Sequence, residues 1–482
     1  MPSISFMVNG QTGNGRSVIV NPQRTVNLFP ELMPDGKTIS LVGVPGMSLF
    51  STVSSGASDY IRGSHVMNGV LYVVSGNSLY TVNSSGTATL VHTLATSTGL
   101  VYMSDNNPAP VGGDELMIVD GTYGYIYNIT TTTWTQLSNA THGFPSNGAT
   151  SVTMIDGYFI VSEKTGGGRF WVSDALDGLT WNSLNVGGSL SISNTLQKVV
   201  SFNNQLWLFG SDAVEVWYNS GYGYPPFSRV SGMTLMIGAV AHQTIVDANT
   251  QLIWLGRNDK GAIQVITTSG GAPSVLSTPE IEYAIRNMTS VTDAYAFYFN
   301  HEGHAFYVLT FPTGNATFVF DFRTQAWHER SSWTETAGMT TNYWHINNTI
   351  YFNNSIYAGD SAAGKLYLLS SANYTDNGNP IISFRQTQAI SSNREYIFHS
   401  SFELLMEAGV GLDGYGSTEG TASSITYGGG TDPQVMIQWS DDGGKTWGNE
   451  HWLSCGKMGE FGKRVLLRRL GKSRNRVYRY MI

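Results

Sequence analysis

Gly69-Val-Leu-Tyr-Val-Val74 runs into a turn and then into Ser78-Leu-Tyr-Thr-Val82, and this pair decides the fold because the chain repeats it seven times. The apolar strand, turn and second strand recur at 115–120 with 123–127, 157–162 with 169–173, and 205–210 with 214–218. They continue at 251–256 with 262–266, 304–309 with 317–321, and Thr349-Ile-Tyr-Phe352 with Lys365-Leu-Tyr-Leu-Leu369. The period is about 45 residues, the length of one four-stranded propeller blade. A single hairpin cannot bury its apolar face, whereas stacked hairpins can, and radial closure leaves few free sheet edges. The expected fold is all-β: a six- or seven-bladed propeller, with one hairpin open to assignment to a cap or to completion by the N-terminal segment.

Outward from the repeats the pattern changes. Residues 1–50 are irregular, punctuated by Asn21-Pro-Gln-Arg-Thr-Val-Asn-Leu-Phe-Pro-Glu31 and Val44-Pro-Gly46, and form an extended docking segment. The propeller is placed at 51–378. From 379 to 482 strand-like runs at 381–390, 396–406, 435–439, 464–470 and 477–482, with a glycine-rich loop at 409–430, read as a small antiparallel β domain stitched back to the propeller. Pro279-Glu-Ile-Glu-Tyr-Ala-Ile-Arg286, with proline and glutamate in its first turn, is the best short helix.

Composition narrows the class. Of 482 residues only 12% are charged, against about 25% in ordinary domains, while 41% are hydrophobic and 12% aromatic. The chain therefore has ample core for a large closed array under an uncharged polar surface. One cysteine, Cys455, excludes an intramolecular disulfide framework and a cysteine metal cage. Met1-Pro-Ser-Ile-Ser-Phe-Met7 has no basic n-region or apolar h-region, so no secretory signal is expected. No stretch approaches the roughly 18 apolar residues of a membrane span. Synthesis in a cytoplasm is expected, and sequons such as Asn128-Ile-Thr130 read as chance. Charge is lopsided: from Lys457 to Ile482 nine cations face one acid, Glu460, so this tail is +8 and the rest of a −8 chain is −16. An acidic body with a basic end points to a charged partner or to pairing between subunits.

Ser440-Asp-Asp-Gly-Gly-Lys-Thr-Trp447 matches the S-x-D-x-G-x-T-W Asp-box, and Ser173-Asp-Ala-Leu-Asp-Gly-Leu-Thr-Trp181 is a one-residue-longer relative. Ser440, Asp442, Gly444, Thr446 and Trp447 read as a turn staple: aspartate accepts backbone amides, glycine takes positive φ, tryptophan packs beneath. Sialidase propellers carry this box away from their catalytic centre. Sialidase chemistry needs an arginine cluster, a tyrosine nucleophile and an acid base, and Arg169, Arg229, Arg257, Arg286, Arg323 and Arg330 stand in no distinctive context. A glycan-acting propeller, hydrolase or lectin, is the alternative reading. Gly10-Gln-Thr-Gly-Asn-Gly-Arg-Ser17 imitates a phosphate loop, but Arg16 replaces lysine and Val18-Ile-Val-Asn-Pro22 opens no helix. Leu116-Met-Ile-Val-Asp120 imitates the second nucleotide motif yet belongs to a repeat. His301-Glu-Gly-His304 is one residue short of a zinc motif and joins two strands; Asp376-Asn-Gly-Asn379 is an equally weak calcium loop. No catalytic residue, cofactor or metal is expected. Lys463-Arg-Val-Leu-Leu-Arg-Arg-Leu-Gly-Lys-Ser-Arg-Asn-Arg-Val-Tyr-Arg-Tyr480 interleaves cations with apolar residues. Arg464, Arg468, Arg469, Arg474, Arg476 and Arg479 are candidate assembly contacts: most are expected to bridge to acidic neighbours or to a partner subunit, the other reading being contact with DNA phosphates, which cations bind without sequence preference.

Arg24-Thr-Val-Asn-Leu-Phe-Pro-Glu31 followed by Val44-Pro-Gly46, the repeat, and Trp439-Ser-Asp-Asp-Gly-Gly-Lys-Thr-Trp447 leading to the basic terminus together carry a resemblance. In that order they resemble the packaged-DNA stabilisation proteins, the tail accessory factors or nozzle proteins, of short-tailed bacteriophages. The resemblance spans essentially the whole length, and its termini are the specific part. It implies a virion tail protein, not an enzyme: a propeller protomer in a homohexameric ring below portal and adaptor proteins. Such a ring would continue the double-stranded DNA channel, offer sites for tailspikes and meet a plug or needle at its tip, without cofactor or membrane insertion.

Overall fold

The computed structural model describes residues 10–13, 16–17, 21–33, 39–107, 112–165, 167–189, 191, 196–258, 260–333, 341–393, 395–410 and 432–482. Around a central axis stand four-stranded antiparallel sheets. The first runs from Ile61–Met67 through Val70–Ser75 and Ser78–Val82 to Ala88–Thr93. The second, third and fourth follow over 102–136, 149–188 and 198–235. The sixth covers 295–329, and the last joins Ile346–Phe352, Ser355–Asp360 and Lys365–Ser370 to Gly46–Thr52. These are six regular blades. Between the fourth and sixth lies an irregular sheet whose inner strand is broken into Gly238–Ala239 and Val246–Asp247 by the 3-10 turn His242–Thr244. This break is the physical basis of the six-or-seven ambiguity in the sequence.

The repeated hairpin is the second and third strand of each blade. Its second strand is buried on both faces, as at Leu116–Val119 and Leu206–Phe209, because each blade is covered by its two neighbours. Among the described residues seven apolar clusters between neighbouring sheets close the ring; Trp254 packs edge-to-face on Phe209 in one, and Ile61 meets Leu366 in the last. Inner and second strands are joined by two-residue turns in which both residues take positive φ: Asn68-Gly69, Asp156-Gly157, Asn203-Asn204, Glu302-Gly303 and Asn353-Asn354. This turn twists with the strands it joins, and asparagine, aspartate and glycine tolerate it best. One repeat differs from its reading. Thr349–Phe352 lies in an inner strand, and the second strand is Ser355–Asp360, whose Ala358-Gly359-Asp360 ending resembles a turn in sequence.

Gly46–Thr52 crosses position 51, the expected start of the propeller, and pairs antiparallel with Lys365–Ser370, so the N-terminal segment supplies the outer strand of the last blade. A second N-terminal strand, Arg24–Val26, touches Glu329 of the sixth blade on one side and pairs with Phe384–Gln386 on the other. Through it the sixth blade runs on into Phe384–Gln386, Val477–Met481, Gln434–Ser440 and His451–Ser454 as one nine-stranded sheet. The second layer of the C-terminal β-sandwich is Ser401–Leu404 with Val465–Arg468, and Ile397–Phe398 with Lys472–Ser473. Phe402, Val435, Ile437, Val465 and Tyr478 fill the space between layers, with Leu28 of the N-terminal segment among them. Of the glycine-rich loop expected at 409–430, residues 411–430 lie outside the described residues. The helix forms at Pro279–Arg286 as expected, with Thr278 capping the Ile281 amide. Among the described residues no helix is long and apolar enough to cross a membrane.

Candidate assembly surface

The basic terminus divides into cations spent inside the sandwich and cations left outside. Arg476 is 1% exposed. Its Nε and Nη2 donate to Asp441 Oδ1 and Oδ2 at 2.6 and 3.0 Å, Nη1 donates to the Leu470 carbonyl at 2.7 Å, and the guanidinium lies over Trp439 and Tyr478. Arg479 stacks 4.1 Å from the Trp447 ring and donates to Gln438. Arg464 forms a fork with Glu403, both bonds 2.6 Å, and these hydrogen bonds hold the exposed carboxyl below its ordinary range. Arg474 and Lys472 both face the Tyr396 ring, at 4.4 and 4.7 Å. Arg468 and Arg469 are exposed and form no salt bridge among the described residues. The intrachain partners Glu403, Asp441 and Tyr396 have no sequence signal, because register across a sandwich joins residues 35 to 78 positions apart.

Gln434–Ser440 delivers the chain into the Asp-box turn. Asp442 Oδ1 accepts from the Ser440 hydroxyl at 2.6 Å and from the Lys445 and Thr446 amides at 2.9 Å; Oδ2 accepts from the Thr446 hydroxyl at 2.7 Å. Ser440 Oγ takes the Gly444 amide at 2.8 Å, and Gly443 and Gly444 carry φ of 79° and 97°. The Ser440 hydroxyl, then the Thr446 donors, hold the Asp442 carboxyl well below the carboxylate range. Trp447 leaves the turn to carry Arg479, so the staple supports the terminal strand. In the longer relative, Trp181 is buried and donates to the Gly178 carbonyl at 2.8 Å.

The weaker motifs fall into ordinary places. His301 and His304 face each other across the Glu302-Gly303 turn; His304 Nδ1 lies 2.8 Å from Asp321 Oδ2, and His301 meets Ser371. Asp376 and Asn379 pair across another such turn. Among the described residues no group of three metal-binding side chains is assembled. Residues 10–13 run beside the sixth blade, with Thr12 N donating to the Trp327 carbonyl; positions 14–15 and 18–20 of the phosphate-loop imitation lie outside the described residues. Leu116–Val119 lies in a blade core, and Asp120 closes the following turn through the Thr122 and Tyr123 amides. Of the six repeat arginines named above, three are committed locally: Arg169 to Glu163 at 3.0 Å, Arg229 near Glu215 at 3.8 Å, and Arg330, buried, over Trp344 at 3.8 Å.

A propeller followed by a β-sandwich is also the order of two family models that match the chain in tandem. Residues 20–374 match the bacteriophage P22 Gp10 β-propeller and residues 384–482 the bacteriophage P22 Gp10 β-sandwich. The chain belongs to the bacteriophage P22 Gp10 family. It is a structural protein of the phage tail and hence a virion component. Among curated proteins, none matches this Gp10-family chain. Among solved structures it is similar to the extracellular domain of the putative hybrid two component system BT4673 from B. thetaiotaomicron, at 10% identity and a TM-score of 0.45, covering 68% of this chain and 40% of that one. It is also similar to the N-terminal domain of Nup159, at 8% identity and a TM-score of 0.39, covering 72% and 98%. The computationally designed Ika8 protein matches at 10% identity and a TM-score of 0.37, covering 72% and 100%. The chain thus spans about two fifths of the first of these proteins.

Proposed function

We propose that this Gp10-family chain is the nozzle of a short tail: a homohexameric ring that closes the portal channel after genome packaging, retains the DNA and presents attachment surfaces to tailspikes and to a plug or needle. The observation that carries this reading is the tandem match to both Gp10 modules over nearly the whole chain. The division of the basic terminus supports it. Four of six candidate arginines are occupied within the sandwich, while Arg468 and Arg469 face outward. A ring around a duplex that must slide gains from cations placed on protein rather than on phosphate. The part is architectural rather than catalytic, and synthesis takes place in the host cytoplasm before incorporation into the virion. The glycan-acting alternative draws less support, since Arg169, Arg229 and Arg330 are already engaged in separate blades.

The test is reconstitution. Purified protein is mixed with portal–adaptor complexes and with DNA-filled, tailless capsids, then imaged by electron microscopy and assayed for nuclease-accessible DNA. A ring on the portal with protected DNA is expected. Failure to bind, or hydrolysis of host glycans by the isolated protein, overturns the reading.

A further inference from the structure

Turns joining first to second and third to fourth strands of a blade emerge at one end of the ring, and that end is acidic. Asp114, Asp156, Asp174, Asp177, Asp247 and Glu302 lie at these turns or the strand ends beside them, and among their described residues Arg323 is the one cation. Apolar side chains stand out at the same place. The loop between Val214–Asn219 and Phe227–Leu235 lifts Tyr222 and Tyr224 into solvent, 86% and 73% exposed, and Leu176 is half exposed beside them. These groups form one patch: Asn219 Nδ2 donates to Asp156 Oδ2 at 2.9 Å, and the Leu176 amide donates to the Gly157 carbonyl at 2.9 Å.

The sandwich presents the complement. On its outer layer Phe398, 77% exposed, stands opposite Lys472, and Arg468 stands opposite Ser401. The Arg469 amide bonds the Ser400 carbonyl, so both arginines and Phe398 lie along one ribbon. The ribbon belongs to a domain that the nine-stranded sheet holds off the outer edge of the sixth blade. Exposed aromatic groups bordered by cations that form no salt bridge among the described residues on one surface, and exposed aromatic groups bordered by carboxylates on another, are the makings of an apolar contact with a steering polar rim.

We propose that the Arg468–Arg469–Lys472–Phe398 ribbon of one copy docks on the Asp156–Asp174–Tyr222–Tyr224 patch of a second copy. Charge identifies the occupant: the +8 tail and the −16 remainder belong to the same chain, so a second copy supplies the opposite sign wherever the first is found. Contact between two different surfaces is head-to-tail, and such a contact generates a ring when its rotation closes. The inference rests on the ring reading and adds to it the two surfaces that meet.

The test separates the two claims. The full chain is followed by sedimentation velocity, with an arm variant (Arg468→Glu, Lys472→Glu) and a body variant (Asp156→Asn, Asp174→Lys); asparagine at 156 tolerates its positive φ. Circular dichroism and melting confirm that each variant folds. Wild type is expected to self-associate, each variant to associate at least tenfold more weakly, and an equimolar mixture to regain hetero-association through its unmodified pair of surfaces. Carbodiimide cross-linking of mixed heavy- and light-isotope wild type should join Lys472 to Asp156 or Asp174 between copies. Wild type that stays monomeric at millimolar concentration, alone and on portal–adaptor complexes, overturns the ring and the contact together. Wild type that assembles, with variants that assemble equally well, overturns the contact alone. Variants rescued by duplex DNA rather than by each other assign the ribbon to phosphate and also overturn it.

Discussion

Arg476 and Arg468 are eight positions apart and show how burial divides one charge type between two tasks. Arg476 is enclosed and bound by Asp441, which is itself half exposed. Asp441→Ala would leave a buried guanidinium without its anion and should destabilise the sandwich by about 2–3 kcal/mol, less than a fully buried pair because water reaches the carboxylate. Thermal melting of the variant measures this, and Asp441→Asn should recover part of the loss. Arg468→Ala with Arg469→Ala should leave stability within about 0.5 kcal/mol of wild type while weakening assembly onto the portal complex. Leakage of DNA from filled capsids with normal assembly would instead place these arginines on phosphate. His328 adds a titrating group. Burial, then Arg330 and His304, hold its pKa down at about 3. The folded value lies below the ordinary value near 6.5, so the neutral ring contributes stability that is present above about pH 6.5 and is lost as pH falls toward 3. Melting temperature should drop across that window, and His328→Gln should flatten the slope.

Among the elements, Arg24–Val26 matters most for its size. Three residues join two modules, and Arg24 adds a fork to Glu329, with one bond of 3.0 Å, while Arg385, fully buried, donates to the Thr25 hydroxyl at 2.7 Å. A chain beginning at Gly46 keeps the outer strand of the last blade but loses this bridge. Calorimetry should then resolve two transitions, with the sandwich melting below the propeller, where the intact chain melts as one. A single unchanged transition would show that the bridge carries no coupling. The sequence made such an element hard to see. Most second strands were legible because they are apolar on both faces, and the third strands because a second apolar or aromatic run follows. Inner strands such as Tyr102–Asp105, with every residue half buried and polar groups among them, carry no such signal. His451–Ser454 and Lys472–Ser473 were missed because short edge strands need only one apolar face. Of the candidate surface, the cations were legible as a run, but which of them are occupied depends on Glu403, Asp441 and Trp447, whose proximity only the register creates.

Across the whole molecule few residues are charged; carboxylates gather at one end of the ring with Arg323 as the one cation described there, and exposed cations line one ribbon of the sandwich. Self-association driven by such separated charges should weaken steeply as salt rises past about 0.15 M, where the screening length falls to about 8 Å. Sedimentation in a sodium chloride series checks this. Assembly that is indifferent to salt would point to an apolar contact centred on Tyr222, Tyr224 and Phe398 without electrostatic steering. The propeller itself should be insensitive over the same range, because the apolar clusters between its sheets are built from uncharged side chains such as Trp207, Trp254 and Tyr307.

The clasp formed by Gly46–Thr52 and Lys365–Ser370 also sets a timetable. The first partner leaves the ribosome about 300 residues before the second, a wait of roughly 15–60 s at ordinary elongation rates. For that interval a seven-residue strand has an open hydrogen-bonding edge, and the nascent chains of neighbouring ribosomes on one message carry its eventual partner. Crowded polysomes would favour exchanging the strand between chains, whereas slow initiation would favour closing each circle upon itself.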